Sequence, residues 1–186
     1  MNIILMGPQG SGKGTQAKLL ADKFNLFYFE MGSFLRKLAG KNLLVDEIIN
    51  KRGELLPDDM FFFAMKKLLG EKISEGKGII LDGFPRTLRQ YELLKNWFGE
   101  KNIKIDMVIF LDVGGKESIR RLSARRIYEK RDDDRPEQIK KRLQIFDKET
   151  KPLLEVFQGE GVLFKVNGER SIDEIHKDLV RIVGSK

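Results

Sequence analysis

The chain has 186 residues, 41% of them hydrophobic and 34% charged, with 35 Lys plus Arg against 28 Asp plus Glu and a formal net charge of +7. That length and apolar fraction suit one ordinary domain with a real core, and they exclude a disordered or a fibrous chain. Cysteine is absent and His176 is the single histidine, which rules out a disulfide scaffold, a thiol nucleophile and a Cys/His zinc cluster. The positive excess fits nucleic acid, an anionic membrane surface or a small polyanion, and composition does not choose among them.

Short β-branched runs alternate with amphipathic helical patterns along the chain. Strands are predicted at Asn2–Met6, Leu26–Phe29, Gly78–Leu81, Met107–Asp112 and Val162–Val166. Helices are predicted at Lys13–Phe24, Asp58–Glu75, Thr87–Phe98, Glu117–Arg126 and Pro136–Gln158. Ile79-Ile80-Leu81 and Val108-Ile109-Phe110-Leu111 are apolar throughout, as in a parallel sheet with helices on both faces. The alternation implies an α/β fold with right-handed crossovers. Glu30–Pro57, with helical segments at Ser33–Ala39 and Val45–Lys51, and the polar Ile127–Arg135 connection read as excursions from one core.

A last helix begins at a capping box, Ser171 with Glu174, and Ile172, Ile175, Leu179 and Ile182 form its predicted buried stripe. His176 borders that stripe and is assigned no role. No apolar run approaches the ~20 residues that span a bilayer. A strand predicted at the very start leaves no room for a leader peptide, so a cytoplasmic location is expected.

The strongest motif directly follows the first strand: Gly7-Pro8-Gln9-Gly10-Ser11-Gly12-Lys13-Gly14-Thr15. It has the form G-x-x-x-x-G-K, with Gly14 where Ser or Thr commonly stands. Glycines let successive N–H groups turn inward, the helix from Lys13 adds its positive end, and Lys13 reaches the β- and γ-phosphates as a point charge. A strand before and a helix after supply the context such a site demands, so the segment reads as a nucleoside triphosphate phosphate site.

Asp82-Gly83-Phe84-Pro85-Arg86-Thr87 lies at the carboxyl end of an apolar strand, where open parallel sheets bind ligands. Asp82 stands where phosphate-loop enzymes place a carboxylate that holds Mg²⁺ directly or through water. Arg86 can offer a bidentate fork to a phosphate.

Taken together, Gly7–Gln16 and Leu81–Thr87 resemble the adenylate kinases, within the nucleoside monophosphate kinases. The likeness extends over nearly the whole chain. It implies a phosphate-loop kinase fold, a five-stranded parallel sheet flanked by helices, divided into a core (1–29, 58–120, 143–186), an AMP-binding helical insertion (30–57) and a minimal lid (121–142). ATP would lie on Gly10, Ser11, Gly12, Lys13, Gly14 and Thr15, with Arg121 and with Arg170 of the Asn167-Gly168-Glu169-Arg170 loop. AMP would meet Met31, Arg36, the return segment Glu54, Leu55 and Leu56, the backbone of Gly83, Phe84, Pro85 and Arg86, and Gln90 as reader of its adenine. Thr87 and Gln90 match the adenylate members rather than the uridylate/cytidylate kinases.

Arg121 and Arg125 are four apart on one predicted helix and share a face. A solvated charged helix is the ordinary reading of such a run. The order Arg121, Arg125, Arg131, Asp133-Asp134, Arg142 instead resembles the family's lid, which makes Lys13, Arg86, Arg121, Arg125, Arg131 and Arg142 the catalytic cations, with Arg131 and Arg142 also on the AMP side. Phosphoryl transfer spreads negative charge over equatorial oxygens, and an AMP phosphate oxygen is already anionic, so cations are wanted and a general base is not. The expected reaction is ATP + AMP ⇌ 2 ADP with Mg²⁺ and no zinc, by a monomer that engages neither nucleic acid nor membrane.

Two departures stand out. Only Ile127–Lys130 separate Arg126 from Arg131, where long-lid members insert a small domain. Met31-Gly32-Ser33 replaces the family's usual Ser/Thr-Gly-Asp, which reads either as neutral drift, since a thioether can pack on a purine face, or as relaxed or altered base choice toward a monophosphate such as CMP or UMP. A phosphate-loop regulator without turnover is a rival from another class, and so is a basic nucleic-acid binder. The latter wants solvent-facing cations among aromatics, whereas Phe61-Phe62-Phe63 sits in an apolar run.

Overall fold

Five strands too short to bury their own faces assemble side by side, and helices from the intervening segments cover both surfaces. The computed structural model describes residues 1–40, 46–48, 57–129 and 135–185. In chain order the elements are β1 (Asn2–Met6), α1 (Lys13–Phe24), β2 (Phe27–Glu30), α2 (Met31–Ala39), α3 (Asp58–Ser74), β3 (Ile79–Asp82) and α4 (Leu88–Glu100). They continue with β4 (Met107–Asp112), α5 (Gly115–Glu129), α6 (Pro136–Ile145), a π-helical turn (Phe146–Thr150), α7 (Leu153–Gly159), β5 (Leu163–Asn167) and α8 (Ile172–Gly184). All strand pairs are parallel, in the order β2-β3-β1-β4-β5. β1 is therefore central, and the turn leaving it opens at the middle of the sheet's carboxyl edge, where such folds bind ligands.

Strand alternation divides the core in two. Ile3 and Leu5 of β1 face one side with Ile80, Ile109 and Leu111, under Ala17 and Leu20 of α1 and Ile175, Leu179 and Val183 of α8. Ile4 and Met6 face the other with Leu81, Val108 and Phe110, under Phe61 and Met65 of α3, Leu94 and Trp97 of α4 and Phe157 of α7. The five-stranded parallel α/β sheet expected from sequence is thus the one observed. Among the described residues no helix is long and apolar enough to cross a membrane.

Four details differ from the sequence reading. The segment predicted as one helix over Pro136–Gln158 is broken, because Pro152 has no N–H to continue the ladder and its ring excludes the preceding turn. There the Lys151 N–H donates to the Phe146 carbonyl at 2.8 Å, a five-residue π bond, and both Phe146 and Thr150 turn inward. α5 runs on to Glu129, so Ile127 and Glu129 belong to the helix rather than to a polar connection. On α8 the capping box is present, but Ile172 is 55% exposed and Val183 takes the buried place expected of it. Ile172 lies in the first turn of α8, where its carbonyl accepts from Gln16 Nε2 of α1 at 2.9 Å. Finally, α2 starts at Met31 directly from β2, two residues earlier than predicted; of the second helical segment expected at Val45–Lys51, all but residues 46–48 lies outside the described residues.

Burial predicts the energetics of α8. Leu179→Ala is expected to cost about 2–5 kcal/mol, whereas Ile172→Ala should fall within about 0.5 kcal/mol of the parent. Urea unfolding midpoints of the two variants check this.

Candidate functional site

The phosphate loop follows from steric necessity. Gly7 and Gly10 have φ of +149° and +81°, and a Cβ on either would approach a carbonyl oxygen, of Leu111 at 2.6 Å or of Ser118 at 2.9 Å. Only glycine fits there, and the loop closes tightly over the end of β1 before α1 begins. Lys13, the first residue of that helix, turns back into the loop, and its Nζ donates to the carbonyls of Gly7 (2.7 Å) and Pro8 (2.8 Å) and to Ser11 Oγ (3.3 Å). The ammonium is thereby parked over the anion cradle that the loop forms.

Asp82 ends β3 beside this loop and is buried, at 7% exposure. Its Oδ2 accepts from the Tyr28 hydroxyl at 3.0 Å. A Cβ on Gly14 would come within 3.4 Å of both that oxygen and the Tyr28 hydroxyl. The place where other phosphate loops carry a Ser or Thr hydroxyl toward a metal is here taken by Tyr28 and Asp82. One carboxylate next to a polyphosphate cradle suits Mg²⁺, which keeps several waters and takes most other ligands from the phosphates. Burial raises the Asp82 pKa and nearby Lys13 opposes it; burial and the Asp82 and Glu30 carboxylates raise that of Tyr28, which therefore stays a hydroxyl donor.

Four cations converge on this point from four elements. Burial is the largest influence on Lys13 and lowers its pKa to about 8; the Asp82 carboxylate opposes this, and the repulsion of Arg86 and Arg125 adds to it. Burial likewise lowers Arg86 to about 10, helped by Arg142. Arg86 also anchors the acceptor turn. Its Nε donates to the Gly83 carbonyl at 2.7 Å, its backbone N–H to Gln90 Oε1 at 2.7 Å, and its carbonyl accepts from Thr150 Oγ1 at 2.8 Å. Gly7, Gln9, Lys13, Gly83, Pro85, Arg86, Phe146 and Thr150 line a common cleft.

The remaining sequence candidates distribute around this centre. Arg121 donates from Nε to Glu117 Oε1 at 2.6 Å and from Nη1 to the Gly168 carbonyl at 2.9 Å, so α5 is tied to the loop after β5. Arg170 is held by Asp178 at 2.6 Å on α8. Arg36 on α2 pairs with Glu30 at 3.2 Å. Met31 is buried at 1%. Gln90 is 0% exposed and its amide is engaged at both ends, with Arg86 N–H and with Asp58 Oδ1 at 2.7 Å. Glu54, Leu55, Leu56, Arg131, Asp133 and Asp134 lie outside the described residues.

Sequence reasoning missed Tyr28, Asp58, Glu117 and Thr150. Glu117 was readable as the i, i+4 partner of Arg121, and Tyr28 as a polar side chain near the carboxyl end of a strand. Asp58 and Thr150 carried no local signal, because their partners lie 29–32 and 64 residues away.

A family model described as adenylate kinase matches residues 5–162. Proteins named adenylate kinase are similar over almost their full lengths. That of Methanocella arvoryzae is 35% identical, covering 96% of this chain and 96% of the relative. That of Xanthomonas euvesicatoria pv. vesicatoria is 36% identical, covering 99% and 100%. That of Staphylococcus aureus is 34% identical, covering 98% and 99%.

The depressed Lys13 pKa has a pH consequence with a definite sign. Its folded value of about 8 lies below the ordinary 10.5, so this group favours the free folded state increasingly as pH rises between those values. Bound phosphates favour the ammonium and draw a proton back. The Kd for ATP is therefore expected to rise above about pH 8, by up to about tenfold per pH unit. Calorimetric titrations from neutral to alkaline pH test this, and a flat profile would contradict it.

Proposed function

The chain belongs to the adenylate kinase family, and we propose that it transfers the terminal phosphoryl group of ATP to AMP through the cations gathered at its centre. An AMP phosphate oxygen forms the new bond to the γ-phosphorus, the bond from that phosphorus to the leaving ADP oxygen breaks, and two ADP result. The observation that carries this reading is the crowding of Lys13, Arg86, Arg125 and Arg142 at one cleft, where burial first and the neighbouring cations second lower the pKa of Lys13 and Arg86. Such a cluster is complementary to two polyanions that repel each other and must be brought into line.

In this reading Gly10, Ser11, Gly12, Lys13, Gly14 and Thr15 receive the ATP phosphates, with Arg121 and Arg170 near the rest of that nucleotide. Lys13 exchanges the Gly7 and Pro8 carbonyls for phosphate oxygens. Magnesium, held through water by Asp82, would neutralise charge developing on the β- and γ-oxygens. Arg86 and Arg36 take the AMP phosphate, the Gly83–Pro85 backbone lines its site, and Gln90 and Met31 meet its base. Glu54, Leu55 and Leu56, together with the lid cations Arg131 and Arg142, complete the acceptor side. The 30–57 insertion and the 121–142 lid are the parts that enclose the nucleotides, and the enzyme acts as a cytoplasmic monomer. No residue need accept a proton, which accords with a chain whose single histidine, His176, lies on α8.

A coupled assay of ADP formation with AMP, CMP, UMP, GMP and dTMP tests the substrate assignment. AMP should give the highest kcat/KM, and a pyrimidine in that place would overturn it. Lys13→Met is expected to lower kcat by about 10²–10³, as loss of a charge-stabilising donor does elsewhere; near-normal turnover would remove the phosphate loop from the mechanism. Arg86→Ala should raise KM for AMP more than it weakens ATP binding, and equal losses on both sides would refute the division of the site.

A further inference from the structure

Gln90 presents a group whose two ends are chemically opposite, and two neighbours decide which end points where. Its Oε1 accepts from the Arg86 backbone N–H at 2.7 Å, and its Nε2 donates to Asp58 Oδ1 at 2.7 Å. A backbone N–H can only donate and a carboxylate can only accept, so neither tolerates the flipped amide. Asp58 is itself held, because its Oδ2 accepts from the Thr87 hydroxyl at 3.1 Å. Thr87 is the N-cap of α4, and its Oγ1 accepts in turn from the Gln90 N–H at 3.1 Å. Four residues thus form a closed network across the start of α3 and the start of α4. Gln90 is 0% exposed, so water is not at hand to replace a lost partner and the orientation is enforced.

We propose that Asp58 is a positioning residue for acceptor-base selection, which locks the Gln90 amide in one polarity and thereby favours 6-amino or 4-amino bases over their oxo counterparts. The proposal rests on the reading of Gln90 as the residue that meets the acceptor base. With one lone pair of Oε1 and one hydrogen of Nε2 committed, the amide offers one remaining acceptor and one remaining donor in fixed places. Adenine answers with an N6–H donor and an N1 acceptor, and cytosine with an N4–H donor and an N3 acceptor. Hypoxanthine, guanine and uracil carry the reverse, a carbonyl acceptor beside a ring N–H donor. Polarity alone therefore separates AMP from IMP, two monophosphates of nearly the same size. A site with a committed hydrogen-bond pattern rejects a mismatched partner because polar groups are left unpaired in a dry place.

The test measures kcat/KM for AMP, IMP, CMP and UMP in the parent and in Asp58→Ala, Asp58→Ser and Asp58→Asn, with melting temperatures alongside. The parent is expected to favour AMP over IMP; an IMP or UMP preference would instead defeat the reading of Gln90 and with it the acceptor assignment. Asp58→Ala should lower the AMP/IMP ratio by about tenfold, the scale of one hydrogen bond to a charged group. Asp58→Ser keeps an oxygen suited to a helix start but is too short to reach Gln90, so it loses the ratio even if the alanine variant folds poorly. Asp58→Asn retains an acceptor for Nε2 and should restore the ratio to within about threefold of the parent. A merely structural role would lower activity on all four substrates together, with the melting temperature, and leave the ratio unchanged. An unchanged ratio in either folded short variant would overturn the proposal while leaving AMP as the substrate.

Discussion

The structure is organised around a repulsion. Lys13 from the phosphate loop, Arg86 from the turn after β3, Arg125 from α5 and Arg142 from α6 stand close enough that burial and mutual charge lower the pKa of the first two. The Asp82 carboxylate opposes this for both Lys13 and Arg86. Water is a poor remedy for charges so placed, and a fixed constellation of cations is worth far more to a polyanion in a dry cleft than in solvent. The cost of assembling the cluster is met elsewhere, by the two apolar layers on either face of the sheet.

Those layers explain how four elements are held to a common point. β1, β3 and β4 are buried on both faces, and their parallel register sets the carboxyl ends of Met6, Asp82 and Asp112 along one edge. The phosphate loop and the acceptor turn are short continuations of these strands, so their positions are inherited from the core rather than from flexible connections. The π-helical turn serves the same end at a distance. It buries Phe146 against Phe110, with ring centroids 6.5 Å apart, and places Thr150 to bond the Arg86 carbonyl at 2.8 Å. Arg86 is therefore braced from behind, through its backbone, while its guanidinium stays on the cleft.

A second feature is how thoroughly the side chains of the proposed site are already engaged. Lys13 is satisfied by its own loop, Arg121 by Glu117 and Gly168, Arg170 by Asp178, and Gln90 by Arg86 and Asp58. Ligand binding in such a site is an exchange of partners. The exchange is selective because each group keeps its direction while it waits: a nucleotide that offers the matching donors and acceptors loses little, and one that does not leaves buried polar groups unpaired.

Motifs with a local physical cause were legible from the sequence. Gly7–Thr15 announces a phosphate cradle because the required backbone shape excludes side chains, and Ile79–Leu81 and Val108–Leu111 announce a doubly covered parallel sheet because they have no polar face. Ser171 and Glu174 declare a helix start through bonds three residues long. The family resemblance carried the expected fold and reaction, and it proposed roles for named residues. What tertiary structure decided was everything set by contacts between distant segments: that Pro136–Gln158 breaks to seat Phe146 and Thr150, that Val183 rather than Ile172 faces α1 and the sheet, that Tyr28 fills the space beside Gly14, and that Asp58 holds Gln90. Helical periodicity and capping act over a few residues, so they can be read along the chain. Partnerships across 29, 32 or 64 residues leave no periodic trace, because only packing chooses which polar groups meet.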